Sequence, residues 1–347
     1  PIEWSKFDFI AIALTTELIF INPKTEDYFI PFTLPNITSI KFDVAGNSLS
    51  AGCEDGHLEL FDITSLLPVS KYDLFDNSTV LVSDWNDNII VSGSRNGSMS
   101  IVDIRVDDPI YSEKIHSEEI CSVKFCDRST STTTLTKNLP LKSSSSSLSF
   151  NSNSTMINSS SIEMLETSSS NNHISSISPN NSSMIFATSG NDTTVKLWDI
   201  RNLTYPTLVF TQHTAAVRAI QFSPTIPNVI VTGGGTSDRT IKMWNYLTGD
   251  LITSVNSGSQ VCNLFWNEDY NEIFSTHGFS QNHLGLWKGT DLSPIASFHE
   301  HKQRVLFMAP SPDSTRVATA APHDGILIWS MFPSTKFSLQ QSMKYLR

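Results

Sequence analysis

The stretch GGGTSDRTIKMWN, residues 233–245, decides how the chain is read. Three consecutive glycines ahead of a polar Thr-Ser-Asp-Arg run suit either a loop wrapped round a phosphate or a sharp turn between two strands. A phosphate loop of the G-x-x-x-x-G-K-[ST] type sets its Lys and hydroxyl residue at the mouth of a helix, where free N–H groups face the anion. That Lys is missing. Instead Thr240 to Asn245 reads T-I-K-M-W-N, with Ile241, Met243 and Asn245 alternating against Thr240, Lys242 and Trp244 in a short β-rich run. Upstream, NVIVTG at 228–233 has the same strand character. Two strands closing on a Gly-rich turn make a hairpin, because Gly accepts the positive φ that such turns impose.

The ending of this hairpin recurs. Aligning on it gives Phe20, Phe61-Asp62, Val102-Asp103, Trp198-Asp199, Trp244-Asn245, Trp287-Lys288 and Trp329-Ser330, with successive spacings of 41, 41, 96, 46, 43 and 42. One spacing is out of line, and within it lie about 55 residues dominated by Ser, Thr and Asn with little apolar periodicity. Such a segment cannot bury enough apolar surface to offset its ordering entropy, so residues 127–183 read as a disordered insertion. Removing it restores seven units of common length. Each runs as an apolar strand, a Pro/Asp/Asn turn, a second strand ending in Gly or Ser, a polar turn, and a strand ending in the aromatic. Period, alternation and the Trp-Asp ending are the signature of a WD-repeat β-propeller with four strands per blade. The expected fold is therefore all-β: a seven-bladed propeller over residues 1–332, interrupted at 127–183 between the first strand ICSVKF and second strand MIFATS of blade 4. A tail, 333–347, follows.

Bulk composition narrows the function. At 347 residues a closed all-β ring can use the whole chain as one domain. The formal charge of −11, from 34 acidic and 23 basic residues, argues against a general nucleic-acid surface and suits a partner carrying Arg or Lys, or simply solubility. Cys53, Cys121, Cys126 and Cys262 lack zinc-site spacing and are too few for a disulfide framework; they read as reduced thiols. The most apolar window, FDFIAIALTTELIFI, is broken by Thr15, Thr16 and Glu17, so no membrane span is expected. The chain begins at Pro1 rather than Met, which implies a natural N-terminus upstream and leaves a targeting peptide open.

Six residues before each aligned position stand Asp55, Asn96, Asp192, Asp238, Gln281 and His323. In propellers of this kind an Asp there caps the polar turn and bonds a His ahead of the blade, as His213 stands ahead of Trp244. That repeated turn chemistry accounts for His213, Thr232 and Asp238 without a hydrolase triad. His299-Glu300-His301 lacks the H-E-x-x-H spacing of a zinc site, and His301 falls where the turn histidine of blade 7 belongs. Neither enzyme activity nor a metal or cofactor is expected.

Several turns carry more than repeat geometry: GGGTSDR at 233–239, SGSQVCNLFW at 257–266, STHGFSQN at 275–282 and HKQRVLFMAPSPD at 301–313, with IEWSKFDFIAIAL near the start. Together they resemble the Fizzy and Fizzy-related family, coactivators of the anaphase-promoting complex. The resemblance spans all seven blades. It implies a non-enzymatic propeller, in nucleus and cytoplasm, that recruits degron-bearing substrates such as cyclins and securin to a ubiquitin ligase by holding the KEN box and the destruction box, R-x-x-L.

Carried to this sequence, the KEN-box positions are Asn191, Thr236, Gln260 and Arg304, and meander topology sends all four to one face. Amide and hydroxyl groups suit the Asn of such a peptide, and Arg304 offers its fork to the Glu carboxylate. For the destruction box, the family sets two acidic groups at the groove between first and last blades, here Glu3 and Asp324, to meet the Arg of the degron. The chain ends in Leu346-Arg347 where family members carry Ile-Arg, a pair that docks on a tetratricopeptide subunit of the ligase. The sequence departs from the pattern in lacking a C box, in carrying His323 where a turn Asp belongs, and in leaving the source of the ring-closing strand open. Ser178-Pro179 is a candidate proline-directed phosphorylation site, and the polar insertion suggests a divergent fungal, meiosis-specific member. The alternatives are a WD-repeat scaffold for another basic peptide, such as a histone tail, and a propeller hydrolase.

Overall fold

The computed structural model describes residues 1–126 and 184–332. The insertion assigned to 127–183, with Ser178-Pro179, and the tail bearing Leu346 and Arg347 lie outside the described residues.

Seven antiparallel meanders make up the described chain, six of four strands and a last one of three. Blade 5 shows the plan, with strands Val217–Phe222, Val229–Gly234, Thr240–Asn245 and Leu251–Asn256 following one another outward. First strands neighbour first strands all the way round, and that of blade 7, Phe307–Pro310, returns to that of blade 1, Ile2–Trp4. The ring is closed by packing.

Burial follows from position in the blade. Val229–Gly234 is buried at every residue because neighbouring blades cover both of its faces, whereas Leu251–Asn256 at the rim is mostly exposed. The aromatic that set the sequence period sits between blades: Trp244 packs with Phe210, Ile220, Phe222, Ile230 and Tyr246 and is fully buried. Truncating it to Ala would cost roughly 3–5 kcal/mol. Its indole N–H donates to the hydroxyl of Thr232 on the second strand at 2.8 Å, and Trp198, Trp287 and Trp329 donate likewise to Thr188, Ser275 and Thr319 at 3.0, 2.7 and 2.8 Å. A large apolar group with one satisfied polar tip explains why the repeat ends in Trp.

The seam between blades 7 and 1 is built from Ile2, Trp4 and Ile10 against Ala309 and Ala318. On the face of the first turns, Asp8 accepts from the Trp4 indole at 3.1 Å, from Arg316 of blade 7 at 2.8 Å and pairs with Lys24 at 2.6 Å. Arg316 also lies 4.9 Å over the Trp4 ring. No fourth strand pairs with the outer strand of blade 7, Gly325–Ser330, among the described residues.

Candidate functional site

Strand direction reverses at every turn, so loops joining second to third strands and loops joining successive blades leave the same face of the ring. Bonds between the two kinds of loop fix that face. In blade 5, His213 from the loop ahead of the blade meets Asp238 in the turn at 2.9 Å, and its other nitrogen meets Thr232 at 2.7 Å. Blade 4 repeats this with His116, Asp192 and Thr188 at 3.0 and 2.9 Å. Burial alone would raise the Asp238 carboxyl, but bonds from His213, Thr240 and the Thr214 amide outweigh it and hold the group below the usual carboxylate range. Thr232 is fully buried, with its hydroxyl engaged by both His213 and Trp244. The same constellation in blades 4 and 5 marks it as a device of the repeat.

Blade 7 departs from expectation. His323 does not leave its turn without an Asp: Asp324, one residue later, meets His301 at 3.2 Å and accepts the Lys302 amide at 2.6 Å, while His301 meets Thr319 at 2.8 Å. The reason lies in the backbone. In blades 4 and 5 one left-handed residue, Thr193 or Arg239, follows the Asp; blade 7 has two, His323 at φ 61° ahead of Asp324 and Gly325 at φ 79° after it. Both nitrogens of His301 are thereby engaged in the turn.

Each of the two carboxylates expected between first and last blades has a partner within the chain. Alternation along the first strand turns Ile2 and Trp4 onto blade 7, so Glu3 faces the other way, where Lys41 of blade 2 pairs with it at 2.5 Å. The Asp324 carboxylate is held by His301 and the Lys302 amide of the loop ahead of blade 7.

Three of the other four residues come together. The Thr236 hydroxyl donates to Gln260 Oε1 at 3.1 Å, and the Gln260 carbonyl accepts the Gly278 amide at 2.9 Å. A Cβ on Gly278 would stand 3.2 Å from Gln260 Oε1 and 3.5 Å from Arg304 Cδ, so a bare backbone there lets the two side chains approach. Arg304 is brought in by the Val305 amide, which donates to the His277 carbonyl at 3.1 Å, and by Asn282, which donates to the Lys302 carbonyl at 2.9 Å. Asn191 is exposed on the same face one blade away, its amide donating to the Glu119 carbonyl at 2.9 Å; Glu119 in turn pairs with Arg218 of blade 5 at 3.1 Å. No recorded bond ties Asn191 to the other three.

Among the described residues Arg304 has no carboxylate partner; its guanidinium lies 5.0 Å over the ring of Phe279. Arg239, bonded to the Thr236 carbonyl at 2.8 Å, and Lys302 lie on the same rim. A rim carrying three cationic side chains thus stands on a chain of net charge −11. It offers an acidic side chain a charge-assisted partner, and Thr236 and Gln260 offer an amide hydrogen bonds. Gly278 and Phe279 are the residues that sequence reasoning quoted within STHGFSQN but gave no role; an aromatic beside a glycine in a polar turn was the available signal.

Comparison with known proteins agrees with this plan. The WD domain, G-beta repeat model matches residues 159–199, 204–245 and 292–330. The B-type cell cycle switch protein ccs52B of Medicago truncatula is 29% identical over 96% of this chain, and the APC/C activator protein CDH1 of Saccharomyces cerevisiae is 27% identical over 98% of it. The chain is thus similar over nearly its whole length to cell cycle switch, Fizzy-related and APC/C activator proteins. It spans 58% of the length of the Medicago relative and 50% of the yeast one. A chain of the crystal structure of a mitotic checkpoint complex superposes with a TM-score of 0.76 at 26% identity, covering 96% of this chain and 86% of that one.

Proposed function

We propose that this propeller is a substrate-recognition coactivator of the anaphase-promoting complex that captures short degron segments without bond chemistry. The observation that supports it is the convergence of four turns, those bearing Thr236, Gln260, Gly278 and Arg304, around one guanidinium that has no acidic partner. In this reading Arg304 takes the Glu of a Lys-Glu-Asn segment, Thr236 and Gln260 take its Asn, and Asn191 meets the chain further along the rim. An R-x-x-L segment reaches the face of blade 7, where Asp324 supplies negative charge. Leu346-Arg347 is assigned to docking on a tetratricopeptide subunit of the ligase.

Titrating the full chain with Lys-Glu-Asn and R-x-x-L peptides tests the proposal. Arg304→Ala should abolish most of the first affinity and spare the second. A scaffold for histone tails would instead bind a Lys/Arg-rich peptide, unaffected by Arg304→Ala, and ignore both degrons.

A further inference from the structure

The loop of blade 6, residues 278–283, displays an aromatic that the core does not use. Phe279 is 53% exposed and belongs to none of the apolar clusters between blades. Exposing a ring of that size forgoes burial, and a polar residue would serve the turn equally well. Among the described residues, one cation lies over its face. The Arg304 guanidinium sits 5.0 Å from the ring centroid, and it comes from a different loop, ahead of blade 7.

We infer that Phe279 is a specificity-setting positioning residue of the rim: its ring holds the Arg304 guanidinium where the carboxylate of a bound segment meets it. The inference rests on the peptide-capture reading and extends it. An Arg with no acidic partner would otherwise sample many rotamers, and ordering it on binding would weaken the complex. The π-face restrains the cation without neutralising it, which a carboxylate in the same place would do. Gly278 leaves room for the Arg stem, 3.5 Å from where a Cβ would stand, and the bond from the Val305 amide to the His277 carbonyl anchors the backbone beside it. The guanidinium is thus ordered by its stem, its neighbour's backbone and one ring, with its N–H groups left for a ligand. Recognition of the acidic position then depends on an aromatic that contacts no carboxylate.

The test uses the full chain and two labelled peptides, one with Lys-Glu-Asn and one with its Glu replaced by Gln. Phe279→Leu keeps apolar bulk but loses the ring; it should weaken the Glu peptide about threefold and leave the Gln peptide unchanged. Phe279→Tyr should restore the wild-type value, and Phe279→Leu should add nothing on top of Arg304→Ala. Unchanged affinity for the Glu peptide in Phe279→Leu, or an equal loss for both peptides, overturns the inference while leaving peptide capture standing. Absence of binding by the wild-type chain overturns the capture reading, and the inference with it.

Discussion

Blades 5 and 6 are neighbouring copies of one unit, yet their turns on the shared face do different things. In blade 5 the turn carboxylate of Asp238 is closed in on His213, Thr240 and the Thr214 amide, and little of it meets solvent. In blade 6 the corresponding residue is Gln281, and the work passes to histidines inside the sheet. His277 meets at 2.7 Å the Ser275 hydroxyl, which also accepts the Trp287 indole N–H at 2.7 Å, and stacks on His283 with ring centroids 4.0 Å apart. The loop above them, relieved of the capping task, carries Gly278 and Phe279 to the rim. A turn that obeys the repeat holds the fold together; the turn that breaks it is the one that gathers Gln260 and Arg304.

The sharpest way to break this contrast is to remove the turn residue from each blade. Asp238→Ala should lower stability in denaturant by roughly 3 kcal/mol, since it strands a buried imidazole, while Gln281→Ala should stay within about 0.5 kcal/mol. Similar losses in both would mean that the two turns are alike. The blade 5 effect should also depend on pH. Its folded carboxyl titrates below the ordinary value of 3.8, so the stabilisation is present above that value and disappears as pH falls through the lower, folded one. The gap between wild type and Asp238→Ala should therefore narrow in acid.

Next in size, Arg304→Ala should weaken a Lys-Glu-Asn peptide by tenfold or more, the loss of a charge-assisted bond, with stability almost unchanged. A variant that loses stability in step with affinity would place Arg304 among the structural groups instead. Asp324→Asn is the informative change in blade 7: Asp324 both faces the R-x-x-L segment and holds the loop that carries Arg304, so both degron peptides should weaken, R-x-x-L the more, and an unchanged R-x-x-L affinity would contradict the direct contact.

Blade 6 should be the acid-sensitive copy. Burial and the neighbouring ring push His277 down to about 3, and burial with the nearby His299 pushes His283 down to about 4. The unfolded chain takes up these protons near 6.5, so protons favour unfolding and stability falls as pH drops from there towards the folded values. His283→Phe should flatten that slope in pH-dependent unfolding, and an unaltered slope would remove the stack from the account. Smallest of all, Gly278→Ala should weaken the peptide about threefold, because its Cβ crowds Gln260 and the Arg304 stem.

Much of this was legible in the sequence. Period, strand alternation and the recurring Trp marked seven blades, and the His213–Asp238 bond is the one that propellers of this kind make at that turn position. The shared face of Asn191, Thr236, Gln260 and Arg304 followed from alternating strand direction. What sequence spacing could not reveal was a one-residue change of turn register in blade 7, where left-handed residues on both sides, His323 and Gly325, set Asp324 in the capping place. The direction of Glu3 was in principle readable, since alternation with Ile2 and Trp4 forces it towards Lys41, but a family position outweighed that period. Phe279 was hidden for another reason: its partner arrives from a separate loop, and only the folded rim brings ring and guanidinium together.

The most direct measurement of the central claim is the location of the bound segment. A Lys-Glu-Asn peptide carrying a photo-crosslinker beside its Glu, irradiated on the full chain and mapped by mass spectrometry, should label loops 235–239, 257–260 and 278–283. Labelling of the opposite face, around Asp8 and Val44, or of blades 1 to 3, would contradict it.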